Sequence, residues 1–229
     1  MRKIGNNFFL LGVAHVLPSS MAEVKETIER ERPDIVAVEL DAARYLALLQ
    51  GEQQNTVKNL RAGMRLSIMS VIMYIIQSRF SKQTGMPAGT EMLEAIKAAG
   101  EVGARVELVD QEIGVTLRRL NEAVPPGEKA RIFAQLLISF IPFQGRPKLS
   151  SLTEDEVVDF LLHEFKEVSP KTHEVLISER DSYMASRLLH LMNSGKVVCV
   201  VGAGHVPGIY KLLEEAVGGW GVKLEYRSG

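Results

Sequence analysis

Two histidines and a glutamate occupy the positions in this sequence best suited to chemistry. Gly12-Val13-Ala14-His15 and Gly202-Ala203-Gly204-His205 each set a histidine three residues after a glycine that closes an apolar run. The surroundings echo one another. Phe8 to Pro18 and Val198 to Pro207 both read as a buried strand, a glycine at its end, a histidine, and a proline at or near a helix start. Proline suits the first helical turn, where its missing N–H has no partner to lose. Glu39 lies in a third apolar run, Asp34 to Leu40, sharing one side of the alternation with Ala37 while Val36, Val38 and Leu40 take the other. A carboxylate buried there needs a partner or a metal, because an unpaired buried charge is costly. A salt bridge to a structural arginine meets that need as well as a metal does.

Imidazoles and carboxylates suit zinc, manganese or cobalt, and a site with few protein ligands leaves room for an activated water. Such an ion polarises a carbonyl and lowers the pKa of the water. Without a metal, one histidine can be a general base oriented by Glu39 or Asp181. The sequence has no His-Glu-x-x-His helix and no Gly-x-Ser-x-Gly elbow. A helix expected from about Pro170 to Met192 places Ile177, Met184, Leu188 and Leu191 on one face, with Arg180 and Asp181 flanking its centre and Arg187 at its edge. Arg180 can stabilise a developing oxyanion. The structural alternative for the pair is an internal ion-pair network. Glu179 falls on the far side of the wheel. Asp110 ends the run Arg105 to Val109 on the same expected rim, and Asp41 reads as a helix cap. Gly12, Gly202 and Gly204 shape the turns. His163, His173 and His190 follow no strand-end glycine and read as surface or packing residues.

The elements that must hold these groups alternate between strand and helix. Phe8 to Val13, Asp34 to Leu40, Arg105 to Val109 and Val197 to Val201 read as strands, with a weaker one over Val222 to Tyr226. Helical periodicity covers Ser20 to Arg32, Thr90 to Ala99 and Gly208 to Ala216. The pattern predicts an α/β fold with a mainly parallel or mixed central sheet covered on both faces by helices. Parallel strands would bring His15 and His205 to one rim, where open α/β sheets place their ligands. Residues 1–229 read as a single domain, with helical insertions at about 55–100 and 127–192 forming a cap. Met64, Met69 and Met73, with Ile68, Ile72, Ile75 and Ile76, make a helix apolar nearly all round, which predicts a homodimer interface or the wall of a peptide groove.

A competing motif is Gly202-x-Gly204-x-x-x-Gly208 with Glu225 downstream, a spacing close to a dinucleotide-binding turn. The turn recurs at Gly12 to His15 without its second glycine, so the repeated element is glycine plus histidine, which phosphate binding does not require. Composition narrows the remaining classes. A net charge of -1 and no basic stripe argue against nucleic acid. Cys199 is the only cysteine, so an intramolecular disulfide and a four-cysteine zinc site are both excluded. Its place in Val197 to Val201 predicts a buried thiol. The apolar stretch Leu66 to Ile76 is shorter than the roughly 20 residues that span a bilayer, and no secretory signal stands out. The expectation is a soluble, cytoplasmic domain.

Four motifs together carry a family resemblance. Gly12-Val13-Ala14-His15, Val38-Glu39-Leu40-Asp41, Ser178-Glu179-Arg180-Asp181 and Gly202-Ala203-Gly204-His205-Val206-Pro207-Gly208-Ile209 resemble, in order, the motifs of the TraB/PrgY family. The resemblance covers about Phe8 to Ile209. That family is similar to the Tiki metalloproteases and, more remotely, to erythromycin esterase and ChaN-type proteins. The resemblance implies a divalent-metal-dependent, peptidase-like site with His15, Glu39 and His205 as ligands and a peptide as substrate. PrgY is associated with blocking a peptide pheromone, which also fits peptide binding without cleavage. Many members continue into C-terminal transmembrane helices, so the resemblance also implies membrane association through such a region.

Overall fold

Five strands, β1 (Arg2–Ile4), β2 (Phe8–Val13), β3 (Ile35–Val38), β4 (Arg105–Leu108) and β5 (Val197–Gly202), form one sheet in the computed structural model. It describes residues 1–13, 18–49, 89–138, 166–167 and 169–218. The strand order is β1-β2-β5-β3-β4. β2, β5, β3 and β4 run parallel, and β1 pairs antiparallel with β2. The edge strand β1 is an addition to the sequence reading. Its charged Arg2 and Lys3 hide it from an apolar-run criterion, and charge is tolerated on a sheet edge. Gly5, at φ 60, makes the turn into β2.

Strand alternation feeds two cores. Phe8, Leu10, Ile35, Ala37, Val197, Cys199 and Val201 face one side, and Phe9, Leu11, Val36, Val38, Val198 and Val200 the other. The first side packs on α7 (Glu179–Met192) and α8 (Val206–Gly218) through Met184, Leu188, Ile209 and Leu213. The second packs on α1 (Pro18–Glu31) and α3 (Thr90–Val102) through Val24, Ile28, Met92 and Ala95. Covering both faces is what the near-continuous apolar strands demand. Cys199 is fully buried, and burial pushes its thiol up from the ordinary value.

Three further helices lie among the described residues: α2 (Ala42–Leu49), α4 (Ile113–Ala123) and α5 (Pro126–Ile138). A short helix, α6 (Pro170–His173), leads through a wide π turn (Glu174–Ser178) into α7. Two details depart from the sequence reading. α3 covers the sheet as the periodicity of Thr90 to Ala99 predicts, whereas α7, within the 127–192 stretch read as a cap, also packs directly on the sheet as a covering layer. Pro170 to Met192 is not one regular helix either. The π turn offsets residues before Ser178 from those after it, so Ile177 is only half-buried while Met184 and Leu188 are fully buried. Val222 to Tyr226 and the apolar helix at 64–76 lie outside the described residues. Among the described helices none is long and apolar enough to cross a membrane.

Candidate functional site

The carboxyl ends of the parallel strands converge on one rim. Gly12 pairs in register with Val201 and Val13 with Gly202, so the two strand-end glycines lie one residue out of step on adjacent strands. A Cβ on Gly12 would stand 2.7 Å from Val206 Cγ2 and 3.2 Å from the Ala203 Cα, so glycine is required there for the second turn to pass. Glu39 follows β3 beside that turn. Ile35 and Ala37 face the α7 side, and Glu39 continues the same alternation toward it. The apolar face of α7 runs out at Met184, and its first turn presents Asp181 and Arg180 where the strand presents Glu39.

Glu39 is held on both oxygens. The Gly202 N–H donates to Oε2 at 2.6 Å. Arg180 Nη2 donates to Oε1 at 2.5 Å, and His205 Nε2 lies 3.3 Å from the same oxygen. Asp110, following β4, receives a fork from Arg180, with Nε 3.0 Å from Oδ1 and Nη2 2.6 Å from Oδ2. Arg180 Nη1 donates to the Leu176 carbonyl in the π turn at 3.1 Å. On the other side, Asp181 Oδ1 and His205 Nδ1 are 2.6 Å apart. The Asp181 carboxylate lies against Gly208, where a Cβ would overlap it. The 3₁₀ turn Ala203–His205, with Gly204 at its middle, carries the imidazole down into this pocket of charge.

Nearly complete burial makes each charge depend on its neighbours. Burial alone raises Glu39, but the charges of His205 and Arg180, with the hydrogen bonds from His205 and Gly202, hold it well below the usual carboxylate range. Burial pulls His205 down, but Glu39 and the hydrogen bond to Asp181 outweigh it and push the imidazole up to about 9. Burial raises Asp181, and His205 offsets that only in part. Arg180 stays charged. Burial opposes its charge, but Glu39 and Asp110 more than compensate.

The sequence reading therefore names Glu39, Arg180, Asp181, His205, Asp110 and Gly202, and the fold brings all six together. His15 lies outside the described residues. The arginine partner considered for Glu39 exists, and it is Arg180. Glu179 points elsewhere, to Arg119 Nη2 at 2.5 Å. Asp41 caps α2, accepting the Arg44 N–H at 2.9 Å. His173 is half-buried, with its imidazole lowered chiefly by burial, and His190 lies on the exposed side of α7 with Nδ1 2.7 Å from the Ser186 carbonyl. His163 falls outside the described residues. Arg44 went unrecognised. Its Nε donates to Asp41 Oδ2 at 2.8 Å, and its Nη2 donates to Asp110 Oδ2. The spacing Asp41-x-x-Arg44 at a helix start was the available signal, since positions three apart share a helix face.

His205 Nε2 and Glu39 Oε1 are the two donors at this rim that could hold a metal. Metal-bound histidines typically hold a carboxylate on the far ring nitrogen, as His205 holds Asp181. Donors 3.3 Å apart, such as His205 Nε2 and Glu39 Oε1, subtend roughly 105° at one ion with bonds of about 2.0–2.1 Å, close to the tetrahedral angle. Among the described residues no three such groups converge as a ligand set.

Comparison with known proteins places the chain in context. A sequence model described as the TraB/PrgY/gumN family matches residues 1–216. An uncharacterised protein of Methanocaldococcus jannaschii is 34% identical over 237 residues, which cover 95% of this chain and 56% of that protein. A TraB domain-containing protein of Homo sapiens is 28% identical over 236 residues, covering 90% of this chain and 62% of its own. The chain thus spans about six-tenths of the length of these relatives. Among solved structures, ChaN of Campylobacter jejuni, studied for cofacial heme binding, aligns over 95% of this chain and 78% of its own at 13% identity and a TM-score of 0.40.

Proposed function

We propose, from the premise that this chain belongs to the TraB/PrgY/gumN family, that it is a metal-dependent hydrolase acting on peptides, with His205, Glu39 and His15 holding a divalent ion. One observation carries the reading: the buried Asp181 fixes His205 so that Nε2 faces Glu39 Oε1 across 3.3 Å at the carboxyl rim of a parallel sheet. Asp181 fixes the imidazole's orientation, and in the metal-bound form it holds the proton on Nδ1, leaving Nε2 as the ligand atom. Arg180 and the Gly202 N–H hold the Glu39 carboxylate in its charged form. Manganese, cobalt or zinc, when bound, supplies Lewis acidity and an activated water.

The test is metal content of the purified protein beside Glu39→Gln and His205→Ala, followed by a quenched-peptide library with added manganese, cobalt or zinc. Near one equivalent of metal, lost in both variants together with cleavage, is the expected outcome. Wild-type cleavage that persists in His205→Ala would sink the proposal.

A second reading is a peptide-binding module without turnover. Its support is the self-sufficiency of the network: both oxygens of Glu39 and both ring nitrogens of His205 already have partners within the protein. Under this reading peptide binds and stays intact with every metal supplied.

A further inference from the structure

Arg180 Nη2 serves two carboxylates at once, Glu39 Oε1 at 2.5 Å and Asp110 Oδ2 at 2.6 Å. Shared donation of this kind is set by the relative pull of the two acceptors. Asp110 has an exposed side-chain fraction of only 1%, so water cannot moderate its charge. Asp110 already holds the Arg180 fork through Nε and Nη2, while Nη2 gives its other N–H to Glu39. Left with Arg180 as its one cation, Asp110 would pull Nη2 closer to itself and away from Glu39. A second cation prevents this. Arg44 Nη2 donates to the same oxygen, Asp110 Oδ2.

We infer that Arg44 is a positioning residue for the rim: by sharing Asp110, it keeps Arg180 Nη2 available to Glu39. Arg44 is itself well placed for this role. Its backbone N–H and Nε both engage Asp41, a carboxylate with 2% side-chain exposure at the start of α2. Those bonds fix the direction of the guanidinium before it reaches Asp110. The helix that bears it has no fully buried residue, so its polar tie to the rim runs through this side chain. The result is a continuous chain of ion pairs from Arg44 through Asp110 and Arg180 to Glu39, crossing from α2 to α7 to the end of β3. Without Arg44, Asp110 draws Arg180 Nη2 away from Glu39, which is then held chiefly by His205 and the Gly202 N–H.

A double-mutant cycle tests this without turnover. Arg44 and Glu39 share no direct contact among the described residues, so contributions not transmitted through Asp110 and Arg180 would multiply within about twofold in the unfolding equilibrium constant. The positioning role predicts that Arg44→Met and Glu39→Gln depart from simple multiplication by about fivefold or more. Lys196→Met, at the opposite end of the sheet, paired with Glu39→Gln serves as the control and should multiply simply. Simple multiplication for Arg44 as well would overturn the inference. Should either variant fail to fold, Arg44→Lys decides through the nitrogen-15 spectrum of the arginine side chains, with the Arg180 signals assigned by Arg180→Lys. A shift of the Arg180 resonance relative to the wild type is expected, and an unmoved one refutes the role.

The turnover consequence rests on the hydrolase reading. There, Arg44→Met lowers kcat about 10- to 100-fold with KM little changed, since a small misplacement costs rate before binding. If the wild-type protein cleaves nothing, the hydrolase reading fails while the cycle still judges Arg44.

Discussion

The two ends of the central sheet handle polar groups in opposite ways. At the amino end, polar side chains close turns and stay near water. Asp34 Oδ2 accepts the Lys196 N–H at 2.7 Å, Asn7 Nδ2 donates to the Met192 and Gly195 carbonyls at 3.3 Å, and Lys196 Nζ bonds the Glu31 carbonyl at 2.6 Å. At the carboxyl end, Glu39, Asp110, Asp181, Arg180 and His205 are buried against one another. The first arrangement joins strands at little desolvation cost. The second takes charges out of water, and such groups seldom stabilise a fold beyond what apolar residues of the same size would achieve. Among the described residues the mutually buried charges lie at the carboxyl end of the sheet, which is why the proposed function is placed there.

Arg180→Met should cost about 3–5 kcal/mol in urea unfolding, because buried Glu39 loses its arginine and buried Asp110 keeps only Arg44 as a cation. A loss below about 1 kcal/mol would place the rim in the same class as the amino end. Next comes pH. His205 titrates near 6.5 unfolded and about 9 folded in the metal-free protein. Its contribution is therefore complete below pH 6.5 and is lost as pH rises through about 9. Urea midpoints measured across that interval should fall for the wild type, and this component should be missing from His205→Ala. Gly208→Ala follows at about 1–3 kcal/mol, since the new methyl must displace the Asp181 carboxylate. It should also weaken zinc binding through His205, read by competition with a chromogenic chelator. At the amino end, Asp34→Ala should cost about 0.5–1.5 kcal/mol in the same unfolding assay, the value of one ordinary hydrogen bond. Smallest of all, Lys25→Ala removes the exposed Lys25–Glu101 pair, 3.1 Å apart, and should leave the thermal midpoint unchanged.

Much of the rim was legible because its signals are local. A glycine ending an apolar run, a histidine three residues on, and a glutamate breaking an apolar strand each stand out within ten residues of chain. Arg44 did not stand out. An arginine at the exposed start of a short helix resembles any solvated charge until Asp110, 66 residues away, is brought beside it. The π turn was equally hidden, because its wide hydrogen bonding leaves no mark in hydrophobic spacing. Arg2 and Lys3 concealed the edge strand for the reason that lets them occupy it: one side of that strand needs no neighbour.

By itself the sequence determined the α/β class, four of the five strands, the burial of Cys199 and the residue types at the rim. These follow from the alternation and length of apolar runs and from motifs read along the chain. Only the tertiary structure decided that β5 lies between β2 and β3. That order sets the Gly202 N–H against Glu39 and lets α7 reach both Asp110 and His205. Strand order depends on pairings among segments more than a hundred residues apart, whose energies no local pattern records. The charges at the rim acquire their partners, and their shifted proton affinities, from those pairings alone.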